Sequence, residues 1–329
     1  MACIAVVVPV FNEDSIIEPL VARLAAMANA QTDHTFEFIM VEDGSWDETY
    51  ARLKRLQQVD PRLTLVKLSR NWGHQCAYNA GLDAVDDSAD AVVLMDGDLE
   101  DPPELIPTLI AHWQAGNQIV YTVKENRIDS PLRKLMFSLY YRVIRIAADI
   151  KIDKQAGMFS LLDIRAARQL RRFGERNKSY PNLRAFIGFR QVAVPYRRQM
   201  RASGTPKQTL SRLINDGLNA LFAFSFLPLR LMTFIGLAMV GIFGFLSAAF
   251  LIVRIADINF WVFRTVPGWT SAMLTLLLIA SIQIVFIGIL GEYVSRIFDE
   301  VRQRPYYIVD RIERGDSTTS AEHHERTRP

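Results

Sequence analysis

Two long apolar runs constrain this 329-residue chain more than any other feature. From Leu231 to Val253 there is no charged residue in 23 positions, and from Trp269 to Leu290 there is none in 22. A helix needs about 20 residues to cross the hydrocarbon core of a bilayer. The runs therefore predict two transmembrane helices, with a pair of core helices in a large soluble protein as the alternative. Arg197, Arg198, Arg201, Lys207, Arg212 and Arg230 precede the first run, and Arg296, Arg302, Arg304 and Arg311 follow the second. The segment between them holds only two basic residues, Arg254 and Arg264. By the positive-inside rule both termini are cytoplasmic and residues 254–268 face outward.

The N-terminal "MACIAVVVPVFNED" lacks a basic leader and a cleavage site, so it reads as a core strand rather than a signal peptide. Cys3 and Cys76 fall in the part assigned to the cytoplasm, where thiols stay reduced, so neither a disulfide nor a zinc site is expected. The net charge is only +3, but its basic residues gather beside the apolar runs. That arrangement suits anionic lipid headgroups and not nucleic acid. The closing "ERGDSTTSAEHHERTRP" is polar and aperiodic, which predicts a disordered tail.

The first 125 residues alternate regularly. Strand-like runs at Ile4–Val10, Phe36–Val41, Leu63–Leu68, Ala91–Met95 and Ile119–Val123 are separated by helix-like segments. This βαβ pattern predicts an α/β fold with a mostly parallel sheet covered by helices. Ligands bind such sheets beyond the carboxyl ends of the strands. Polar clusters stand at those ends: "PVFNE", "VEDGS", "SRNWGHQ" and "DGDLED". Asp43-Gly44-Ser45 also fits a plain turn with a helix cap at Asp47. Neither G-x-G-x-x-G nor a P-loop is present, so the usual glycine cradles for phosphate are missing.

"LMDGDLEDPP" offers another way to hold a phosphorylated ligand. Crowded carboxylates repel one another unless a cation is present, and Mg²⁺ or Mn²⁺ prefers oxygen ligands while keeping positions open for phosphate. Read without such a cation, the stretch is a solvated acidic loop leading into a helix near Pro103, and of its four acids Asp101 is expected to start that helix and not to join the chemistry.

"VVVPVFNE", "VEDGSWDET", "NWGHQCAYNAGLDAV", "MDGDLEDPPE" and "GEYVSRIFDEVRQRPYYIV" resemble family 2 glycosyltransferases with the GT-A fold. Within that family they are similar to the membrane-anchored polyprenyl-phosphate glycosyltransferases, such as the bactoprenol glucosyltransferases and dolichol-phosphate mannose synthases. The resemblance spans residues 4 to about 310. It implies inverting transfer of a sugar from a nucleotide diphosphate donor, UDP-glucose first, to a polyprenyl phosphate such as undecaprenyl phosphate.

Carried onto this chain, the resemblance implies that Pro9, Asn12 and Glu13 line the nucleotide pocket and that Asp43 contacts the base or ribose. Asp96 and Gly97 would lie beside the donor, and Asp98 would bind the metal. Glu100 stands where the family usually has Gln, which keeps an oxygen ligand and adds charge. "IKIDKQAGMFSLLD" resembles the family's D-x-Q-x-G-F pattern, with Asp153 and Gln155 in place. Many bacterial members carry Asp directly after the glycine, where this chain has Met158. A phosphate monoester is largely dianionic at neutral pH, so a strong general base is unnecessary and Asp153 would position the acceptor or the donor sugar.

Leu132 to Ile150 places apolar residues at helical spacing among Arg133, Lys134, Arg142 and Arg145, which reads as an interfacial helix; a core-facing helix explains the same period. Arg127, Arg133, Arg198, Arg201 and Lys207 are the candidates to meet phosphates, with surface ion pairs or membrane topology as their ordinary roles. Arg201 and Lys207 lie in "RASGTPK", similar to the family's R-x-x-G-x-S-K with Pro206 in place of serine. The expected layout is a catalytic domain over 1–206, a juxtamembrane helix over 207–229, two spans within 230–291 and a cytoplasmic segment over 292–329. Two helices alone favour packing between protomers, hence a homo-oligomer. Mannosyl or amino-sugar transfer, and a non-catalytic nucleotide-sugar-binding membrane protein, are the alternatives. The Q-x-x-R-W stretch of processive synthases is not visible.

Overall fold

The computed structural model describes residues 1–124, 156–173, 180–196, 268–302 and 304–315, with scattered positions between 232 and 245. It divides into two compact units, one of residues 1–134, 150–207 and 304–329, the other of 135–149 and 208–303.

The first unit is built on an eight-stranded sheet of order β7-β5-β6-β4-β1-β2-β3-β8. Its strands are β1 (Ala2–Val10), β2 (His34–Glu42), β3 (Leu63–Leu68), β4 (Ala91–Leu94), β5 (Ile119–Lys124), β6 (Ala156–Asp163), β7 (Gln191–Tyr196) and β8 (Val309–Arg314). The five expected strands are all present. β3, β2, β1 and β4 pair in parallel, while β6 and β8 run antiparallel to their neighbours. The helices are α1 (Ile17–Asn29), α2 (Thr49–Val59), α3 (His74–Ala84), α4 (Ile106–Gln114), α5 (Ile164–Arg172) and α6 (Tyr180–Phe186).

Strand side chains alternate between faces, so each central strand feeds two apolar layers. Ile4, Val6, Val8 and Val10 of β1 pack with Ile17, Leu20 and Leu24 of α1, Leu53 of α2 and Ile106 of α4. Ala5 and Val7 face the other way, toward Tyr78 and Leu82 of α3, Leu170 of α5 and Leu183 of α6. Gly81 seats α3 on the sheet: a Cβ there would collide with Val7 and come within 2.9 Å of Val41. α3 therefore approaches β1 and β2 more closely than any residue with a side chain would permit.

β8 was expected only as part of a cytoplasmic segment. Its charged sequence, VDRIER, suits an exposed edge, and it closes the β3 side of the sheet. Tyr50 donates to Glu313 at 2.8 Å and Gln57 donates to the Glu313 carbonyl at 2.7 Å, which holds this strand against α2.

In the second unit, α7 (Gly268–Val301) is a continuous helix of 34 residues. Among the described residues no helix is long and apolar enough to cross a membrane. The first expected span lies largely outside the described residues, as do the segments 132–150 and 207–229 and the closing tail.

Candidate active site

The parallel strands all end on one side, and three of their loops are stitched together. The β1–β4 ladder stops at Val7 and Leu94, two residues before Pro9, which lacks the N–H to extend it. Beyond it, Asn12 takes a left-handed φ of 53°, which Asn tolerates better than most residues. Its N–H donates to Ser45 Oγ at 3.0 Å, and its Oδ1 accepts from the Trp46 N–H at 3.1 Å. The Glu13 N–H donates to Thr49 Oγ1 at 2.9 Å. Phe11 and Trp46 meet edge to face at 5.0 Å, with Trp46 left 80% exposed at the rim. Asn12 and Glu13 thus lie against the β2 loop, just beyond Pro9 near the end of β1.

The β2 loop carries two buried acids, Glu42 and Asp43. Asp43 accepts from the Trp72 N–H at 2.7 Å and the Gly73 N–H at 2.9 Å, just ahead of α3. Burial pushes its carboxyl up, and these two amides offset that only in part. Gly44 has φ +69°, and a Cβ on it would strike the backbone of Arg70 and Asn71. This close passage lets Asp43 reach the next loop. Residues 43–45 are irregular backbone and the N-cap position of α2 is Glu48, without a side-chain cap; Asp47, one residue earlier, accepts from the Thr49 N–H at 3.0 Å.

The β4 loop holds Asp96, Gly97, Asp98, Glu100 and Asp101. Gly97 is a contact residue: a Cβ there would lie 2.7 Å from the Pro9 carbonyl and 2.9 Å from Val10 Cγ1. The loop can lie against the end of β1 only without a side chain at that point. Asp98 is half-buried and its Oδ1 accepts from the Glu100 N–H at 3.1 Å. Glu100 is buried.

Asp101 corrects one expectation. The helical turn Pro103–Leu105 has Pro102 at its N-cap position and no side-chain cap bond. Asp101 is buried and accepts instead from the Tyr196 hydroxyl at 2.5 Å, at the end of β7. It serves the fold by joining β7 to this loop, and not as a cap.

The sequence reading missed two residues. Tyr78 OH donates to Asp96 Oδ1 at 2.7 Å, and His74 Nε2 lies 3.0 Å from the same oxygen. Burial pulls the His74 imidazole down, but its bond to Asp96 and the charges of Asp96, Asp98 and Asp43 outweigh that and hold it above the usual histidine value. The signal was the i, i+4 spacing of His74 and Tyr78 inside "GHQCAY".

Among the described residues no group of three or more His, Cys, Asp or Glu is assembled that could hold a metal ion. The donor set still fits Mg²⁺ or Mn²⁺, which is bound through one or two carboxylates with phosphate and water supplying the rest. Asp98 and Glu100 are such oxygen donors, on one loop at the strand ends. Arg127, Arg133, Asp153, Gln155, Arg198, Arg201 and Lys207 lie outside the described residues. Met158, just past them, is half-buried and packs on the apolar layer under α3.

A model of glycosyl transferase family 2 matches residues 5–171. The chain belongs to glycosyltransferase family 2. It is an enzyme of the hexosyltransferase kind, built on a mixed parallel and antiparallel sheet. It is 34% identical over 308 residues to the "Uncharacterized glycosyltransferase YkcC" of Bacillus subtilis, covering 93% of each chain. It is also 34% identical over 314 residues to the bactoprenol glucosyl transferase of Shigella phage SfII, covering 95% of this chain and 99% of that one. A solved glucosyl-3-phosphoglycerate synthase from Mycobacterium tuberculosis, in complex with Mn²⁺, UDP and glucosyl-3-phosphoglycerate, is 16% identical. It covers 68% of this chain and 80% of that one with a TM-score of 0.46.

Proposed function

We propose that this glycosyltransferase moves a hexose, glucose from UDP-glucose first, onto a polyprenyl phosphate such as undecaprenyl phosphate at the cytoplasmic face of the membrane, with inversion at the anomeric carbon. The observation that carries the reading is the β4 loop, which lies against the end of β1 at Pro9 and carries Asp96, Asp98 and Glu100, with Asp96 meeting α3 at His74 and Tyr78. Likeness to the bactoprenol glucosyl transferase along nearly the whole of both chains supports the lipid acceptor.

Asp98 and Glu100 would hold a Mg²⁺ or Mn²⁺ ion, which neutralises charge on a departing diphosphate. Asn12 shapes the nucleotide mouth through Ser45 and Trp46. Asp43 keeps the β3–α3 loop closed on that pocket, and its contact with base or ribose remains part of the proposal. Arg127, Arg133, Arg198, Arg201 and Lys207 would pair with phosphate oxygens, with Asp153 and Gln155 placing donor and acceptor. An acceptor phosphate oxygen attacks the anomeric carbon from the face opposite the nucleotide, and the C–O bond to the diphosphate breaks. Positioning and charge neutralisation supply most of the rate.

The two-span anchor belongs to the same proposal. Trp269 to Leu290 lies inside α7, and 22 helical residues extend about 33 Å. Leu276, Ile284, Val285 and Ile287 are exposed along it, as lipid-facing side chains would be.

The test is turnover by the full-length protein in detergent with undecaprenyl phosphate and a panel of UDP-, GDP- and dTDP-sugars, with and without Mn²⁺ or Mg²⁺. UDP release coupled to glucosyl-lipid formation is expected, lost on chelation and lowered by about 1000-fold in Asp98→Ala. Activity that survives both chelation and Asp98→Ala would overturn the metal assignment. Donor binding without any nucleoside diphosphate release would overturn the transfer.

A further inference from the structure

α3 brings two side chains to one carboxylate oxygen. His74 and Tyr78 are one helical turn apart, and both reach Asp96 Oδ1, at 3.0 and 2.7 Å. Their rings meet edge to face at 4.8 Å and 82°, and the Tyr180 ring packs on Tyr78 at 5.9 Å. Tyr78 is fully buried, whereas the Asp96 side chain is 22% exposed. The helix cannot retreat, because Gly81 seats it in contact with Val7 and Val41. Asp43 ties its leading end through Gly73.

An acid at a strand end beside water needs no such tie for its own solvation. Two side-chain donors on one oxygen, one from a fully buried phenol, restrict the carboxylate's rotation. That restriction is of use when a ligand hydroxyl must be met in one direction, since less ordering then remains for the moment of binding.

We propose that His74 and Tyr78 are positioning residues that aim the Asp96 carboxylate at the hydroxyls of the nucleotide-sugar donor. The inference rests on the donor reading given above and deepens it. The clamp acts through Asp96 alone, so its effect disappears when Asp96 can no longer be aimed.

The experiment is a double-mutant cycle on the full-length protein in detergent, with UDP-glucose and undecaprenyl phosphate as substrates. Tyr78→Phe keeps the buried ring, and His74→Gln keeps an N–H donor. Tyr78→Phe and His74→Ala should each lower kcat/KM about 10-fold, and His74→Gln should return to within about threefold of the parent. In an Asp96→Ala background, where no oxygen is left to aim, Tyr78→Phe should change kcat/KM by less than about twofold. Multiplying effects in that background, or parental kinetics in both Tyr78→Phe and His74→Ala, would overturn the clamp. The same cycle read on the Kd of UDP-glucose by calorimetry separates the two claims. Absent transfer would refute the acceptor reading, while additive or non-additive binding changes still decide the clamp.

Discussion

The β2 and β4 loops both end parallel strands in buried acids, yet they treat their carboxylates in opposite ways. In the β2 loop, Asp43 spends its oxygens on the backbone amides of Trp72 and Gly73. In the β4 loop, Asp96 is held by side chains, and half-buried Asp98 accepts from the Glu100 N–H of its own loop. An acid bound to backbone amides fixes where the chain goes. One bound to side chains has its direction fixed while the loop itself is fixed by something else, here Gly97 against Pro9. α3 connects the two, tied at Trp72 and Gly73 just ahead of it by the first loop and supplying the clamp for the second.

If the β2 loop is architecture, breaking it should cost stability first. The largest effect is expected from Gly44→Ala, because the added Cβ meets backbone of Arg70 and Asn71, which cannot swing aside, and φ is +69°. A loss of about 3 kcal/mol is expected, from strain and from forcing two loops apart. Thermal melting measures it, and a midpoint within a degree of the parent would show that the loops do not need this contact.

Asp43→Asn comes next. The amide presents an N–H where the carboxylate accepted, so one of the two backbone donors at Trp72 and Gly73 loses its partner in a buried setting. About 2 kcal/mol of stability should be lost. Denaturant titration checks this; a variant that keeps its midpoint but no longer binds UDP would instead make Asp43 chiefly a ligand group.

The difference between the loops also explains what could be read from the amino-acid sequence. β1 to β5 were legible because strands buried on both faces become continuous apolar runs. β8 was not, since VDRIER faces solvent on an edge and owes its place to partners such as Thr64 and Val66, about 250 residues away. The strand-end acids were legible as a cluster, but their division of labour was not. That Asp43 holds amides and Asp96 side chains depends on where α3 sits, which Gly81 decides through contacts with two different strands. His74 and Tyr78 had a visible helical spacing, but their target lies on another loop. Asp101, directly ahead of two prolines, looked like a local cap; its partner Tyr196 lies 95 residues away.

Asp101 sharpens the comparison, because it sits in the chemical loop and behaves like the architectural one. It is 2% exposed and bonded to Tyr196, whose phenol is pushed up first by burial and then by the Asp101 charge. Phe159 packs edge to face on the Tyr196 ring at 6.3 Å, so Tyr196→Phe removes the hydroxyl and leaves the ring contact. The carboxylate would then lose one donor in a buried site, at a cost of about 1 to 2 kcal/mol. Nothing in the clamp at Asp96 or the bond at Asp98 is touched. Tyr196→Phe should therefore lower the denaturation midpoint while kcat and donor KM stay within about twofold of the parent. A fall in kcat with unchanged stability would mean that β7 steers the acidic loop during transfer, and the four acids of that loop would act as one unit instead of dividing between chemistry and fold.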